Sequence, residues 1–330
     1  MHPPSPGRKV GAIFLGRTDD MDWKSLLKER GVLVSDGAWG TELARAGLGA
    51  GTAPELWNVE RPQAVEAVAR AYVEAGSQII LTNTFGGNRW KLDKSGLGDR
   101  TAELNERGTA ISKRAAGETA LVFASIGPTG EFMAPLGTRG EEEFIACFAE
   151  QIEACVRGGA DGVVIETMAA LEEALAALRA ARQVSKLPVV VSMTYSRGAK
   201  GFATMMGVGP ERAAEAIERA GADLVGSNCG SGTADMIEVV RHLRAKTSKP
   251  IWAKANAGAP KLVDGRTVFP ETPEEMAGRV PELIQAGANV IGGCCGTTPE
   301  HIRAMAEAIK RGTKGPFGFA QGRLRDGGTK

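Results

Sequence analysis

Three of the five cysteines stand beside glycine at the ends of short apolar runs: Cys229 in Asn228-Cys229-Gly230, and Cys294 with Cys295 between Gly293 and Gly296. A buried apolar cysteine needs no such setting, and adjacent cysteines rarely bridge each other. Glycine lets the chain turn sharply enough to bring both neighbouring sulfurs to one side, which a continuing strand forbids. Three thiolates with no histidine nearby form a soft site, and zinc is the redox-silent metal that suits it. Three protein ligands leave a fourth position open, as in catalytic zinc sites. Cys147 and Cys155, eight residues apart, read instead as one buried stripe of a helix.

Acids and aromatics fall at similar places. Asp36 and Glu166 each follow an apolar run, where a carboxylate either caps the next helix or anchors a substrate ammonium. Beside Asp36, the Gly37 and Ala38 backbone can present successive N–H groups as a nest for a carboxylate. Together these features describe an amino-acid pocket next to a metal. Trp39, Trp57, Phe85, Trp90 and Tyr195 lie in or near the same loops and offer faces for an onium cation. Lys254 suggests a rival, the Schiff-base lysine of a phosphate-binding barrel, but that chemistry has no use for the cysteines. His301, in the first turn of a helix, and His242, mid-helix between arginines, read as solvent-facing; His2 lies near the start of the chain.

The elements that must position these groups alternate. Aliphatic runs at 32–35, 78–82, 121–126, 162–165, 188–193, 224–226, 251–253 and 290–291 predict strands. Between them, 62–75, 141–157, 170–184, 210–220, 234–246 and 273–286 carry helical periodicity, and Gly76, Gly221 and Gly287 stand where helices end. Eight strands alternating with helices predict a single (β/α)8 TIM barrel, whose catalytic groups come from loops at the carboxyl ends of the strands. The barrel is expected over residues 21–312, with flexible extensions at 1–20 and 313–330 that lack apolar periodicity; Met21 is a candidate natural start, with Asp22 capping a first helix.

Composition narrows the function. Of 330 residues, 40 are Lys or Arg and 39 Asp or Glu, so no excess charge of either sign points to nucleic acid or an anionic membrane. The apolar run at 10–15 is far shorter than the roughly 18 residues of a membrane span. A cytoplasmic protein with reduced thiols is the expectation.

The motifs Asp36-Gly-Ala-Trp-Gly-Thr41, Thr82-Asn-Thr-Phe85, Gly127-Pro-Thr-Gly130, Glu166-Thr167, Asn228-Cys229 and Gly292-Gly-Cys-Cys-Gly-Thr-Thr298 resemble, in order and placement, those of the homocysteine S-methyltransferase family over residues 22–311. The resemblance implies that Cys229, Cys294 and Cys295 hold zinc, that Asp36 and Glu166 contact the amino acid, and that the Asn256 amide oxygen fills the open metal position without substrate. It implies methyl transfer to homocysteine, giving methionine. A free thiol has a pKa of ~8.5, so zinc would supply the thiolate nucleophile at neutral pH. Residues 54–58 and 204–207 look like those of bacterial enzymes labelled as betaine-using, which favours betaine as a small onium donor; Gly86 replaces an aromatic of the better-known betaine enzymes. The alternative donor is a separate methylcorrinoid protein or methylcobalamin. A non-catalytic zinc- or thiol-binding module is the remaining reading.

Overall fold

The structure, a computed structural model, describes residues 22–263 and 266–314; the extension expected at 1–20 lies outside the described residues, as does that expected at 313–330 apart from its first two residues, which belong to the helix Pro299–Lys314. Eight parallel strands form one sheet: β1 (Leu33–Val34), β2 (Ile79–Leu81), β3 (Leu121–Ile126), β4 (Gly162–Met168), β5 (Val189–Met193), β6 (Leu224–Cys229), β7 (Ile251–Ala255) and β8 (Ala288–Gly293). From β2 to β8 each pairs with the next in sequence, and β8 returns to pair with β1. The seam between β1 and β2 closes through a Ser35–Ile79 bridge and through Gln78, whose N–H donates to Val34 O while its Oε1 accepts from Val34 N–H. The expected barrel is thus what forms.

Side-chain period decides what the barrel holds, because alternate residues of each strand point inward. The inner apolar cluster contains Leu33, Ile79, Leu121, Phe123, Val164, Val190, Leu224, Trp252 and Val290, with Trp23 of the first helix packed among them. Phe123 and Trp252 stack with centroids 6.3 Å apart. Two strand glycines make room for these residues: a Cβ at Gly162 would lie 2.6 Å from the Phe123 ring, and one at Gly226 would lie 2.5 Å from the Trp252 carbonyl oxygen. Gly226→Ala is therefore expected to destabilise the protein by about 1–3 kcal/mol, read as a lowered urea midpoint at unchanged slope. Two residues further along the same inward face, apolar gives way to polar: Ser125 follows Phe123, Glu166 follows Val164, Ser192 follows Val190 and Lys254 follows Trp252. The plug thereby becomes the floor of a polar mouth.

Helices wrap the barrel and bury a second, larger cluster against its outside. Asp22 caps the first helix, Trp23–Arg30, accepting from Lys24 and Ser25 N–H at 2.7 and 3.1 Å. Cys147 and Cys155 are buried in this outer layer on the helix Glu141–Arg157, and burial pushes both thiols up to about 11. Some features differ from the sequence expectation. The segment 273–286 is two helices, Pro273–Gly278 and Val280–Ala286, because Pro281 has no N–H to continue the first ladder. Short hairpins, Ser196–Gly198 with Gly201–Ala203 and Lys261–Val263 with Arg266–Val268, follow β5 and β7; their exposed, weakly apolar sequences carry no strand signal. Among the described residues, no helix is long and apolar enough to cross a membrane.

Candidate active site

The carboxyl ends of β6 and β8 bring three sulfurs together. The Sγ atoms of Cys229, Cys294 and Cys295 all lie within 4.8 Å of one another, and those of Cys229 and Cys294 are 3.0 Å apart. Cys229 ends β6 with φ 64°, a left-handed conformation uncommon outside glycine that turns its side chain out of the strand's alternation. The turn carrying the other two is fixed from both sides: Cys294 N–H donates to Ala255 O at 2.7 Å, Cys295 O accepts from Ala257 N–H at 3.0 Å, and Gly293 N–H donates to Asp36 O at 3.0 Å. Three thiols this close titrate as one group. Hydrogen bonding within the cluster favours the thiolate on Cys295 and disfavours it on Cys229.

Asn228 organises this end of the barrel, a role the sequence did not disclose. Its Nδ2 donates to Thr167 Oγ1 at 2.7 Å and lies 3.5 and 3.8 Å from the sulfurs of Cys229 and Cys294. Its Oδ1 accepts from Thr167 N–H at 2.8 Å and Ser192 Oγ at 2.7 Å. Thr167 is the second non-glycine residue with positive φ, 62°, and the β4 register shifts there. One amide side chain therefore ties two strained residues, on β4 and β6, to the sulfur cluster. Strain of this kind concentrates at functional sites.

Glu166 precedes Thr167 and is 6% exposed. Ser125 Oγ donates to its Oε1 at 2.5 Å. Burial pushes its carboxyl up to about 7, against the pull of the Lys254 ammonium. Asp36 is fully buried, and its carboxylate accepts from Trp39 Nε1 at 2.8 Å, Leu81 N–H at 2.7 Å, Ser35 Oγ at 3.3 Å and Lys254 Nζ. Lys254 loses solvation by burial, but the Asp36 and Glu166 carboxylates outweigh that loss and raise its pKa. A lysine held as the ammonium is unsuited to Schiff-base attack, which disfavours the aldolase-like rival.

The remaining candidates divide. Of the two N–H groups of the expected nest, that of Ala38 donates to Thr297 Oγ1 at 3.1 Å, and Gly37 is pressed against Thr297 and Tyr72. Asn256 donates to Gly230 O at 2.7 Å, and its buried Oδ1 has no partner. Of the aromatics, Trp57 is buried beneath the Arg61 guanidinium, 4.3 Å from its ring centroid, and Tyr195 is buried with an unpartnered hydroxyl. Lys91 lies 4.7 Å from the centroid of Phe85, and Arg139 lies 4.2 Å from that of Trp90. His242 is exposed and contacts Glu211, as expected of a surface residue. His301 corrects the expectation of solvent exposure: it is buried, its Nδ1 accepts from Thr298 N–H at 3.2 Å, and its Nε2 lies 3.0 Å from Glu271 O. That second partner, thirty residues away in sequence, draws the ring inward.

Comparison with known proteins agrees with this fold. The family model described as homocysteine S-methyltransferase matches residues 33–309. Proteins named methionine synthase from Mycobacterium leprae and Mycobacterium tuberculosis are 35% and 34% identical over 311 and 312 residues, in each case 88% of this chain. The chain spans about a quarter of the length of these relatives (25% of each). The metallated form of the homocysteine methyltransferase MmuM from Escherichia coli shares the fold with a TM-score of 0.72 at 24% identity, over 86% of this chain and 98% of that one.

Proposed function

Because the chain belongs to the homocysteine S-methyltransferase family, we propose that it transfers a methyl group to the sulfur of homocysteine, giving methionine, with one zinc ion held by Cys229, Cys294 and Cys295. The observation that carries this reading is the convergence of three sulfurs at a barrel mouth that also holds a buried carboxylate, Glu166. The residues fit the metal. Sulfurs on a tetrahedral zinc sit about 3.8 Å apart for Zn–S bonds of about 2.3 Å; the three Sγ atoms lie within 4.8 Å of one another, and the Cys229–Cys294 pair, at 3.0 Å, would have to open by roughly an ångström to take the ion. The unpartnered Asn256 Oδ1, beside Gly230 and the Cys295 main chain, is an oxygen acceptor in need of a donor or a cation.

Zinc bound there supplies the Lewis acidity that keeps a substrate thiol ionised at neutral pH, and three thiolate ligands offset its charge so that the sulfur stays nucleophilic. The chain's own groups hold the rest of the substrate. Glu166, aimed by Ser125, receives the α-ammonium; with Ala38 N–H taken by Thr297 Oγ1, the Gly37 N–H is what the expected nest keeps for the carboxylate. Asn228 keeps the β4 and β6 ends at a fixed separation, so the acceptor sulfur meets the donor from one direction.

For the donor, a small onium such as betaine would use aromatic faces, yet Phe85 and Trp57 already carry Lys91 and Arg61, and Tyr195 is buried. This favours the second reading, a methylcorrinoid delivered by a separate domain or protein, which the relatives named methionine synthase also support. A donor panel tests both: zinc-loaded protein with homocysteine and betaine, S-methylmethionine or methylcobalamin, read out as methionine. Turnover with methylcobalamin is expected. Turnover with betaine alone would overturn the donor reading and keep the acceptor; no methionine from any donor, with no homocysteine binding, would overturn the function.

A further inference from the structure

Homocysteine bound as proposed has its sulfur at the cysteine cluster and its carboxylate at the Gly37 N–H. These two anchors lie on the loops after β8 and β1, so the span between them depends on how the loops are joined. Strand pairing joins them only at the base. Leu33 pairs with Val290 and Val34 with Ile291, Ser35 N–H donates to Ile291 O, and Gly293 N–H donates to Asp36 O at 3.0 Å. Among the described residues that last bond is the final one between the two backbones, and both anchors stand beyond it.

One side chain continues the tie. The Thr297 hydroxyl donates to Cys294 O at 2.7 Å and accepts from Ala38 N–H at 3.1 Å. Cys294 O also accepts from Thr297 N–H at 3.1 Å, which closes a turn over the two cysteines. Thr297 is fully buried, and the space for it comes from two glycines, one on each loop. A Cβ at Gly37 would lie 2.8 Å from Thr297 Oγ1, and one at Gly293 would overlap it. On the other side of Ala38, Tyr72 of the helix Pro62–Glu74 donates its O–H to Ala38 O at 2.7 Å. A hydroxyl both donates and accepts, so a single buried oxygen spans the two loops and leaves neither backbone group unpaired. Valine has nearly the same shape and neither capacity.

We propose that Thr297 is a positioning residue that sets the span between the sulfur anchor and the carboxylate anchor; this rests on homocysteine as the substrate. A ligand held at both anchors feels that span. One held only by its sulfur and its ammonium does not, because Glu166 stands on β4, away from both loops.

The test titrates zinc-loaded protein calorimetrically with two ligands: homocysteine, and the aminothiol that is homocysteine without its carboxylate. Zinc per chain is measured on each preparation. Thr297→Val is expected to bind homocysteine about tenfold more weakly and the aminothiol within about twofold of native, and Thr297→Ser to bring homocysteine back to within about twofold. Zinc should stay at the native level, because Ala255 O and Ala257 N–H hold the cysteine turn independently. Equal changes for the two ligands, including none, or loss of zinc would overturn the proposal, since a merely structural hydroxyl does not distinguish them. Tighter homocysteine binding in Thr297→Val would overturn it as well, because Thr297 would then only compete with the substrate for Ala38 N–H. If Thr297→Val does not fold, Tyr72→Phe takes its place: it frees Ala38 O, keeps the Thr297 bonds, and is expected to weaken homocysteine about threefold and leave the aminothiol unchanged. A native protein that does not bind homocysteine would refute the function itself, a result distinct from native binding with equal changes.

Discussion

Replacing Cys229, Cys294 or Cys295 singly by alanine is expected to strip zinc from the purified protein and abolish methyl transfer, while Cys147→Ala retains both. The asymmetry follows from placement. Cys147 is buried against the helical layer outside the barrel, whereas the other three are half-buried and share one mouth. With one thiolate gone, two sulfurs and the Asn256 amide would remain, and a neutral amide does not replace a charged sulfur on a soft site. The fold should persist, because the inner and outer apolar clusters include none of these three residues. Metal analysis with circular dichroism on the same samples checks both halves of the expectation. Full zinc content in Cys294→Ala combined with Cys295→Ala would refute the site.

Those sulfurs were legible because residue type and local context coincide: cysteine beside glycine at a strand end has no packing rationale. The barrel was legible for a similar reason, since the period of 141–157 reproduces the observed helix Glu141–Arg157 without needing tertiary information. Groups whose meaning depends on a distant partner were not. Lys254 lies within Ile251-Trp-Ala-Lys-Ala255, and its one hint was a lone charge on the inward face of an apolar strand. Ser125 gives the same faint signal on β3, at inward parity above Phe123. Asn228 acts through Thr167, Ser192 and two cysteines on other elements, contacts that no local pattern contains. Strand ends also ran further than the apolar runs did. Glu166 and Cys229, read as loop residues, lie within β4 and β6, because backbone pairing continues where the side chains have turned polar. The chemistry at the mouth is accordingly mounted on the sheet itself, with the rigidity that orientation requires.

Glu166→Ala is expected to leave zinc in place and weaken homocysteine binding by roughly 2 to 5 kcal/mol, the cost of leaving one partner of a desolvated charge pair unpaired. The carboxylate is 6% exposed and makes one hydrogen bond within the chain, so water cannot readily substitute for it around a bound ammonium. Asp36 does not readily take its place, because its carboxylate already accepts from Lys254, Trp39, Ser35 and Leu81. The rate at saturating homocysteine should fall as well, since an amino acid held only by its sulfur swings about that point and loses alignment with the donor. Glu166→Asp, one methylene shorter, keeps the charge but withdraws it, and should fall between the native and alanine proteins in affinity. Homocysteine titrations and zinc content measured on one preparation separate the outcomes. If Glu166→Ala loses zinc while the affinity of the remaining metal-loaded fraction is unchanged, Glu166 supports the sulfur cluster rather than the substrate, and the pose in which ammonium and sulfur span the mouth is wrong.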